Sequence, residues 1–333
     1  MNPNEDVMLT LEDFLDTLAS RPAGDDVKAS MLALADASKT LHGAIRSGSI
    51  PGAAQVSSAN ASGEMQKPLD VFADETFLAA AKAAPIAIYG SEEQEQPIMT
   101  GAGSLAIAID PLDGSSNIET NIAVGTIFSI LATGGTEDAG AVFTQPATAQ
   151  LAAGFFMYGA QLLLVFSAGT GTHTFAHNPD TGGFEHVARC EIPPQSREYA
   201  LNSSNRRHWH QPMQDYVADL ERGAEGPRRQ DFGMRYVGSL VADCYRILQR
   251  GGVFIYPSDR RKGYESGRLR QLYEANPIGL CIEQAGGAAT DTKTRLLDLP
   301  STTLHAKVPL AFGSRDEIAV LQSYANGGAK VLQ

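Results

Sequence analysis

The sequence predicts a layered α/β fold built as two α/β domains, on three observations. Helical periodicity opens the chain, short buried-looking strand runs between glycine-rich turns follow, and helix and strand signals alternate again beyond a proline-paired connector. Each element has a local reason.

Thr10 followed three residues later by Asp13 marks a helix N-cap, and Val27, Met31, Leu34, Ser38, Leu41 and Ile45 trace the apolar stripe of a second helix. The run LDVFADETFLAAAKAA (69–84) predicts a third, closed by Pro85. Asp70 and Asp74 stand one turn apart on it, and Asp74 is expected to be solvated. Beyond Pro85 the runs IAIY (86–89), SLAIAID (104–110), VGTIFSIL (124–131), AAGFFMYG (152–159), QLLLVFS (161–167) and GTHTFAH (171–177) predict strands, several buried on both faces. The connector CEIPPQSR (190–197) separates an N-terminal domain, 1–190, from a C-terminal domain, 191–333. In the second domain helices are expected near 210–222, 238–249 and 272–285, with strands at 251–257 and near 309–313.

With 26 Lys and Arg against 38 Asp and Glu in 333 residues, the formal charge of −12 argues against nucleic acid or an anionic membrane as main partner. The three cysteines, Cys190, Cys244 and Cys281, form neither a disulfide framework nor a zinc pattern and are expected to pack in cores. The start of the chain lacks the features of a signal peptide, and no apolar run is long enough to span a bilayer. A cytoplasmic location is expected.

The most informative segment is Asp110-Pro111-Leu112-Asp113-Gly114-Ser115-Ser116-Asn117, directly after a buried strand. Two acids three apart around a proline are expected in a rigid turn at the strand's carboxyl end, where open α/β sheets place their ligands. Gly114-Ser115-Ser116 offers backbone N–H groups to a phosphate. Glu92-Glu93 ends the preceding strand, and Glu274 lies in RLRQLYEANP. Gathering Glu92, Asp110, Asp113 and Glu274 at one point requires cations, and hard oxygen donors suit Mg²⁺ or Mn²⁺. Taken singly, each acid reads as a solvated turn or surface residue.

These segments, with RYVGSLVAD (235–243), GGVFIYP (251–257), GRLRQLYEANPIG (267–279) and EQAGGAATD (283–291) in order, resemble class 1 fructose-1,6-bisphosphatase. The resemblance runs from about residue 27 to 315 and implies an α-β-α-β-α sandwich of the sugar phosphatase type. It also implies hydrolysis of fructose 1,6-bisphosphate to fructose 6-phosphate, in gluconeogenesis or the Calvin cycle, by a homo-oligomer, expected to be a tetramer. Two to three divalent cations would be held by Glu92, Asp110, the Leu112 carbonyl, Asp113 and Glu274, with Glu64 an additional ligand. Asp70 and Glu93 would orient and deprotonate the attacking water. Substrate contacts would fall on Gly114, Ser115, Ser116, Asn202, Arg235, Tyr236, Tyr256, Arg268 and Arg270, with Arg235 reaching a neighbouring subunit's site.

Arg268 stands where many relatives carry lysine, and Asn205 where a tyrosine is often found, so action on sedoheptulose 1,7-bisphosphate as well is an alternative. An inositol-phosphate or 3′-nucleotide phosphatase shares the DPLDGSS turn but not GRLRQLYEANPIG. A non-catalytic cation-binding protein is a further alternative, opposed by the presence of every acid named above. The segment Ser20–Asp26 is acidic where animal members bind AMP, so AMP inhibition is expected to be weak or absent. Arg260-Arg261-Lys262 reads as a solvated loop, with electrostatic attraction of the bisphosphate the other reading.

Overall fold

The computed structural model describes residues 9–48, 68–136 and 138–327. Three helices come first: α1 (Leu11–Asp16), α2 (Gly24–Ser47) and α3 (Pro68–Ala83). Thr10 and Asp13 form the expected reciprocal cap on α1, each side chain bonded to the other's backbone N–H.

Eight strands then form one sheet: β1 (Ile86–Ser91), β2 (Ile98–Met99), β3 (Leu105–Asp113), β4 (Val124–Ala132), β5 (Ala152–Tyr158), β6 (Leu162–Ser167), β7 (Thr172–His177) and β8 (Phe184–Cys190). A short helix, α4 (Ala139–Phe143), lies between β4 and β5. The spatial order is β2-β1-β3-β4-β5-β6-β7-β8. Only β1 and β3 run parallel; every other neighbouring pair is antiparallel. The carboxyl ends of β1 and β3 therefore lie side by side, which brings Glu92 next to the Asp110 segment.

The second half contributes β9 (Glu198–Leu201), α5 (Gln211–Glu221), β10 (Gly233–Met234), α6 (Leu240–Arg250), β11 (Val253–Tyr256), β12 (Leu269–Arg270), α7 (Asn276–Gln284), β13 (Ala288–Thr290), β14 (Lys307–Val308), β15 (Leu310–Gly313) and α8 (Arg315–Ala325). Five of its strands form a sheet in the order β10-β9-β11-β15-β13, and β12 pairs with β14.

Three cores fix the layering. Met31, Leu34, Phe77 and neighbours on α1–α3 pack on one face of the large sheet through Ile107, Phe128 and Phe156. The opposite face, through Ile127, Phe155 and Val165, meets α6 and α7 and, beyond them, Phe254 and Phe312 of the small sheet. The far side of the small sheet, Val253, Ile255 and Ala311, is covered by α5 and α8 through Tyr216, Val217, Ile318 and Leu321. The order is helix, sheet, helix, sheet, helix, as expected, because each sheet must bury both faces. All three cysteines are buried. No helix among the described residues is long and apolar enough to cross a membrane.

The expected turn at Asp110–Asp113 is instead the end of β3. Asp110 pairs with Ile127 and Asp113 with Gly125, so three steps on β3 oppose two on β4. The extra residue makes a bulge. Proline is tolerated because Pro111, which has no N–H to give, uses its carbonyl to accept from Thr126 Oγ1 at 2.8 Å. Strand β8 and helix α8 lie beyond the elements expected from the sequence. The helix expected from 272 begins as a wide turn, Gln271–Ala275, before α7.

Candidate active site

The β3 bulge turns both aspartates the same way. Leu112 N–H donates to Asp110 Oδ1 at 3.0 Å, pinning that carboxylate, and Val241 N–H at the start of α6 reaches Asp113 Oδ2 at 3.4 Å. The helix can come this close because Gly125 lies opposite Asp113: a Cβ there would sit 2.6 Å from Val241 Cγ1 and 2.5 Å from the Phe156 carbonyl oxygen. From the far side, the wide turn Gln271–Ala275 presents Glu274, whose carboxylate accepts from the Arg270 N–H.

Asp110, Asp113 and Glu274, all buried, place one oxygen each within 4.8 Å of one another. Burial pushes all three acids up. Asp113 rises to about 7; Asp110 and Glu274 rise well above the carboxylate range, with Glu92 the largest charged contributor after burial. Such a group of hard oxygen donors, held against its own repulsion, fits a divalent cation of the Mg²⁺ or Mn²⁺ type. Glu92 stands at the edge of the group, accepting from Arg270 Nε at 3.0 Å; Arg270 also donates to the His305 carbonyl. Glu64 lies outside the described residues.

Asp70 is buried in the first turn of α3. Asp74 departs from expectation. It is buried, 4% exposed, and accepts from Tyr89 Oη at 2.8 Å, Ser91 Oγ at 2.6 Å and Gln94 Nε2 at 2.6 Å. The sequence shows a helical acid on a face neighbouring the apolar stripe, but not that β1 presents a tyrosine and a serine to it. Ser91 Oγ in turn accepts from the Glu93 N–H at 3.2 Å. Glu93 is near enough to Tyr89 to help raise that phenol's pKa, after burial and Asp74.

Gly114 takes φ +75°, a conformation that favours glycine, and starts the 3₁₀ turn Ser115–Thr120. Asp113 and Gly114 line a cleft of about 250 Å³ together with Tyr236, Tyr256 and Arg268. Arg268 donates to Tyr256 Oη at 3.3 Å and stacks over Tyr264 at 4.6 Å from the ring centre, while Arg261 lies 4.5 Å from the same centre. Burial, then Tyr256, pushes the Tyr236 phenol up to about 12, so it is a hydrogen-bond donor at neutral pH. The loop between Tyr236 and α6 is held by buried Asp243, which accepts from Val237 and Gly238 N–H at 3.1 Å. Asp243 stands in RYVGSLVAD with no local signal of this role, because the bonds form only when the loop folds back on α6.

The remaining expected residues lie apart from the cleft lining. Asn202 Oδ1 accepts from Ser204 in its own turn, and Arg235 is exposed, with its guanidinium against the Met234 carbonyl. Ser115 lines a neighbouring depression with Leu69 and Ile118. Arg260 is bonded to the Arg207 and His208 carbonyls and Arg261 to Asp259 and Asn205, so the basic loop braces itself. A wider groove of about 590 Å³ runs between α2 and α3, but its polar residues, Asp36, Thr40, Glu75 and Thr76, include no cation to receive a phosphate.

Two family models divide the chain between them. The fructose-1,6-bisphosphatase N-terminal domain matches residues 12–189 and the C-terminal domain matches residues 192–326. The chain belongs to the fructose-1,6-bisphosphatase family. Among curated proteins, the class 1 fructose-1,6-bisphosphatase of Azorhizobium caulinodans is 48% identical over 325 residues, covering 95% of this chain and 99% of that one. The Rhizobium meliloti class 1 fructose-1,6-bisphosphatase is 47% identical over 325 residues, covering 95% and 93%. Among solved structures, Leishmania major fructose-1,6-bisphosphatase in holo form matches with a TM-score of 0.88 and 33% identity, over 96% of this chain and 99% of that one. As a fructose-1,6-bisphosphatase family member, the chain has the α/β fold that its solved relatives share.

Proposed function

We propose that this chain hydrolyses fructose 1,6-bisphosphate to fructose 6-phosphate and phosphate, with Asp110, Asp113 and Glu274 as the core of a cation site. Carrying this reading is one observation: Asp113, one of three buried carboxylates with an oxygen each within 4.8 Å of one another, also lines a cleft to which Tyr236, Tyr256 and Arg268 contribute two phenols and a guanidinium. An acidic group alone would repel a bisphosphate. Paired with a cation, it becomes the reacting end, and the neutral and basic donors become the distal end.

When bound, Mg²⁺ or Mn²⁺, two to three per site, would neutralise phosphoryl charge and acidify a water. Glu92, the Leu112 carbonyl and Glu64 would complete its ligands. Asp70 and Glu93 would take the proton from the attacking water as its oxygen bonds to phosphorus and the bond from phosphorus to the sugar O1 breaks. The N–H groups of Ser115 and Ser116, exposed by the turn at Gly114, would hold the 1-phosphate. Tyr236, Tyr256 and Arg268 would fix the distal phosphate, so that binding remote from the reaction aligns it. Arg270, at Glu92, would face the reacting end. Asn202, and Arg235 given to a neighbouring subunit of a homotetramer, would complete the distal site. Exposed Arg235 supports this last assignment, since it has no role in its own cleft lining.

The test compares phosphate release from fructose 1,6-bisphosphate, sedoheptulose 1,7-bisphosphate, an inositol monophosphate and a 3′-nucleotide with Mg²⁺ present. The fructose ester is expected to exceed the last two in kcat/KM by at least about 100-fold, because both lack a distal phosphate for Tyr236, Tyr256 and Arg268. A preference for either of those two overturns the reading.

A further inference from the structure

We infer that Asp74 is a positioning residue for the Asp70–Glu93 pair, its buried carboxylate locking helix α3 to the turn that follows β1. The inference rests on the water-activating role given to that pair under Proposed function.

The geometry is specific. Asp74 lies one helical turn after Asp70 on α3 and both are buried, so whatever fixes the helix at Asp74 fixes the backbone that carries Asp70. Its two oxygens receive three side-chain donors: Tyr89 Oη and Ser91 Oγ on Oδ1, and Gln94 Nε2 on Oδ2. Tyr89 and Ser91 are on β1, and Gln94 follows Glu92 and Glu93, so the three donors bracket both acids. Ser91 Oγ then accepts from the Glu93 N–H, making a continuous path from the Asp74 carboxylate to the Glu93 backbone. A buried carboxylate is costly unless its lone pairs are filled, and here filling them requires one register of helix against turn. A sub-ångström error in how a base meets its water lowers turnover far more than it weakens binding at the distal end.

Asp74→Asn keeps the side-chain volume but puts an amide NH₂ where donors converge. Its kcat is expected to fall about 10- to 100-fold with KM for fructose 1,6-bisphosphate changed less than about twofold. Placed in a Glu93→Gln background, the same substitution should cost under about threefold, because the base it positions is already gone. Ser91→Ala, which cuts the path while leaving the carboxylate, is expected to lower kcat about tenfold and serves if Asp74→Asn does not fold. The inference is overturned if Ser91→Ala or folded Asp74→Asn keeps wild-type kcat, or if the Asp74→Asn loss is as large without Glu93 as with it. Wild-type protein inactive on the bisphosphate would instead overturn the proposed function, and the inference with it.

Discussion

Arg270 donates from Nε to Oε1 of Glu92 at 3.0 Å, while its own backbone N–H is bonded to the Glu274 carboxylate. One residue thus joins the end of β1 to the wide turn before α7, and its guanidinium lies against the edge of the acidic group. Arg270→Met should therefore destabilise the metal-free protein by about 2–3 kcal/mol, since it leaves Glu92 beside three buried acids. Denaturant unfolding in chelator measures this, and Mg²⁺ should restore part of the loss. A change under about 0.5 kcal/mol would show that the pair contributes nothing.

The buried acids set a pH dependence whose sign is unusual. An acid whose folded pKa is raised keeps its proton longer folded than unfolded, so stability falls as pH climbs from the ordinary value to the raised one. For Asp113 that window runs from 3.8 to about 7, and Asp110 and Glu274 are shifted in the same direction. Metal-free protein should lose thermal stability between about pH 4 and about pH 7, and Mg²⁺ should flatten the slope while releasing protons. Asp113→Asn should also flatten it, melting several degrees above wild type in chelator at the alkaline end. Parallel melting curves for the two proteins would contradict this.

Much of this was legible in the sequence, for definable reasons. Strong periodicity announced α2, α3 and the strands of the large sheet's centre, and the DPLDGSS segment announced its chemistry through acids flanking a proline. What escaped depends on neighbours distant in the chain. Asp110–Asp113 reads as a turn locally but is held as a bulge by Thr126 and Gly125 on β4. Asp74 reads as a solvated helical acid, and only the placement of Tyr89, Ser91 and Gln94 buries it. Tyr264, likewise, gains meaning only when Arg261 and Arg268 stack on it.

That stacking holds Arg268 in the cleft lining. Arg268 is held by the Tyr264 ring and Tyr256 Oη, so Arg268→Ala should raise KM about 10- to 100-fold with a smaller effect on kcat, the cost of one charge-assisted contact. Tyr264→Leu should raise KM only about 2- to 5-fold, as loss of an exposed cation–π contact implies. Steady-state kinetics of both variants check this; an unchanged KM for Arg268→Ala would remove it from the substrate site.

Control by AMP is expected to be weak. Asp25 and Asp26 occupy the first turn of α2, Asp26 is bonded to Ser104, and the Arg21 guanidinium is engaged by the Ala168 carbonyl. An anionic nucleotide would meet acids there and no uncommitted guanidinium. Activity should be nearly unchanged across micromolar AMP; half-inhibition in that range would contradict the argument.

The most direct measurement is phosphate release from fructose 1,6-bisphosphate by protein stripped with chelator, followed as Mg²⁺ is added back, for wild type and Asp113→Asn. Stripped wild type should be silent and regain turnover with added Mg²⁺, while Asp113→Asn stays at least about 100-fold slower at saturating ion. Full wild-type turnover in chelator, or a normal rate for Asp113→Asn, would contradict the claim that these buried acids hold the cation on which turnover depends.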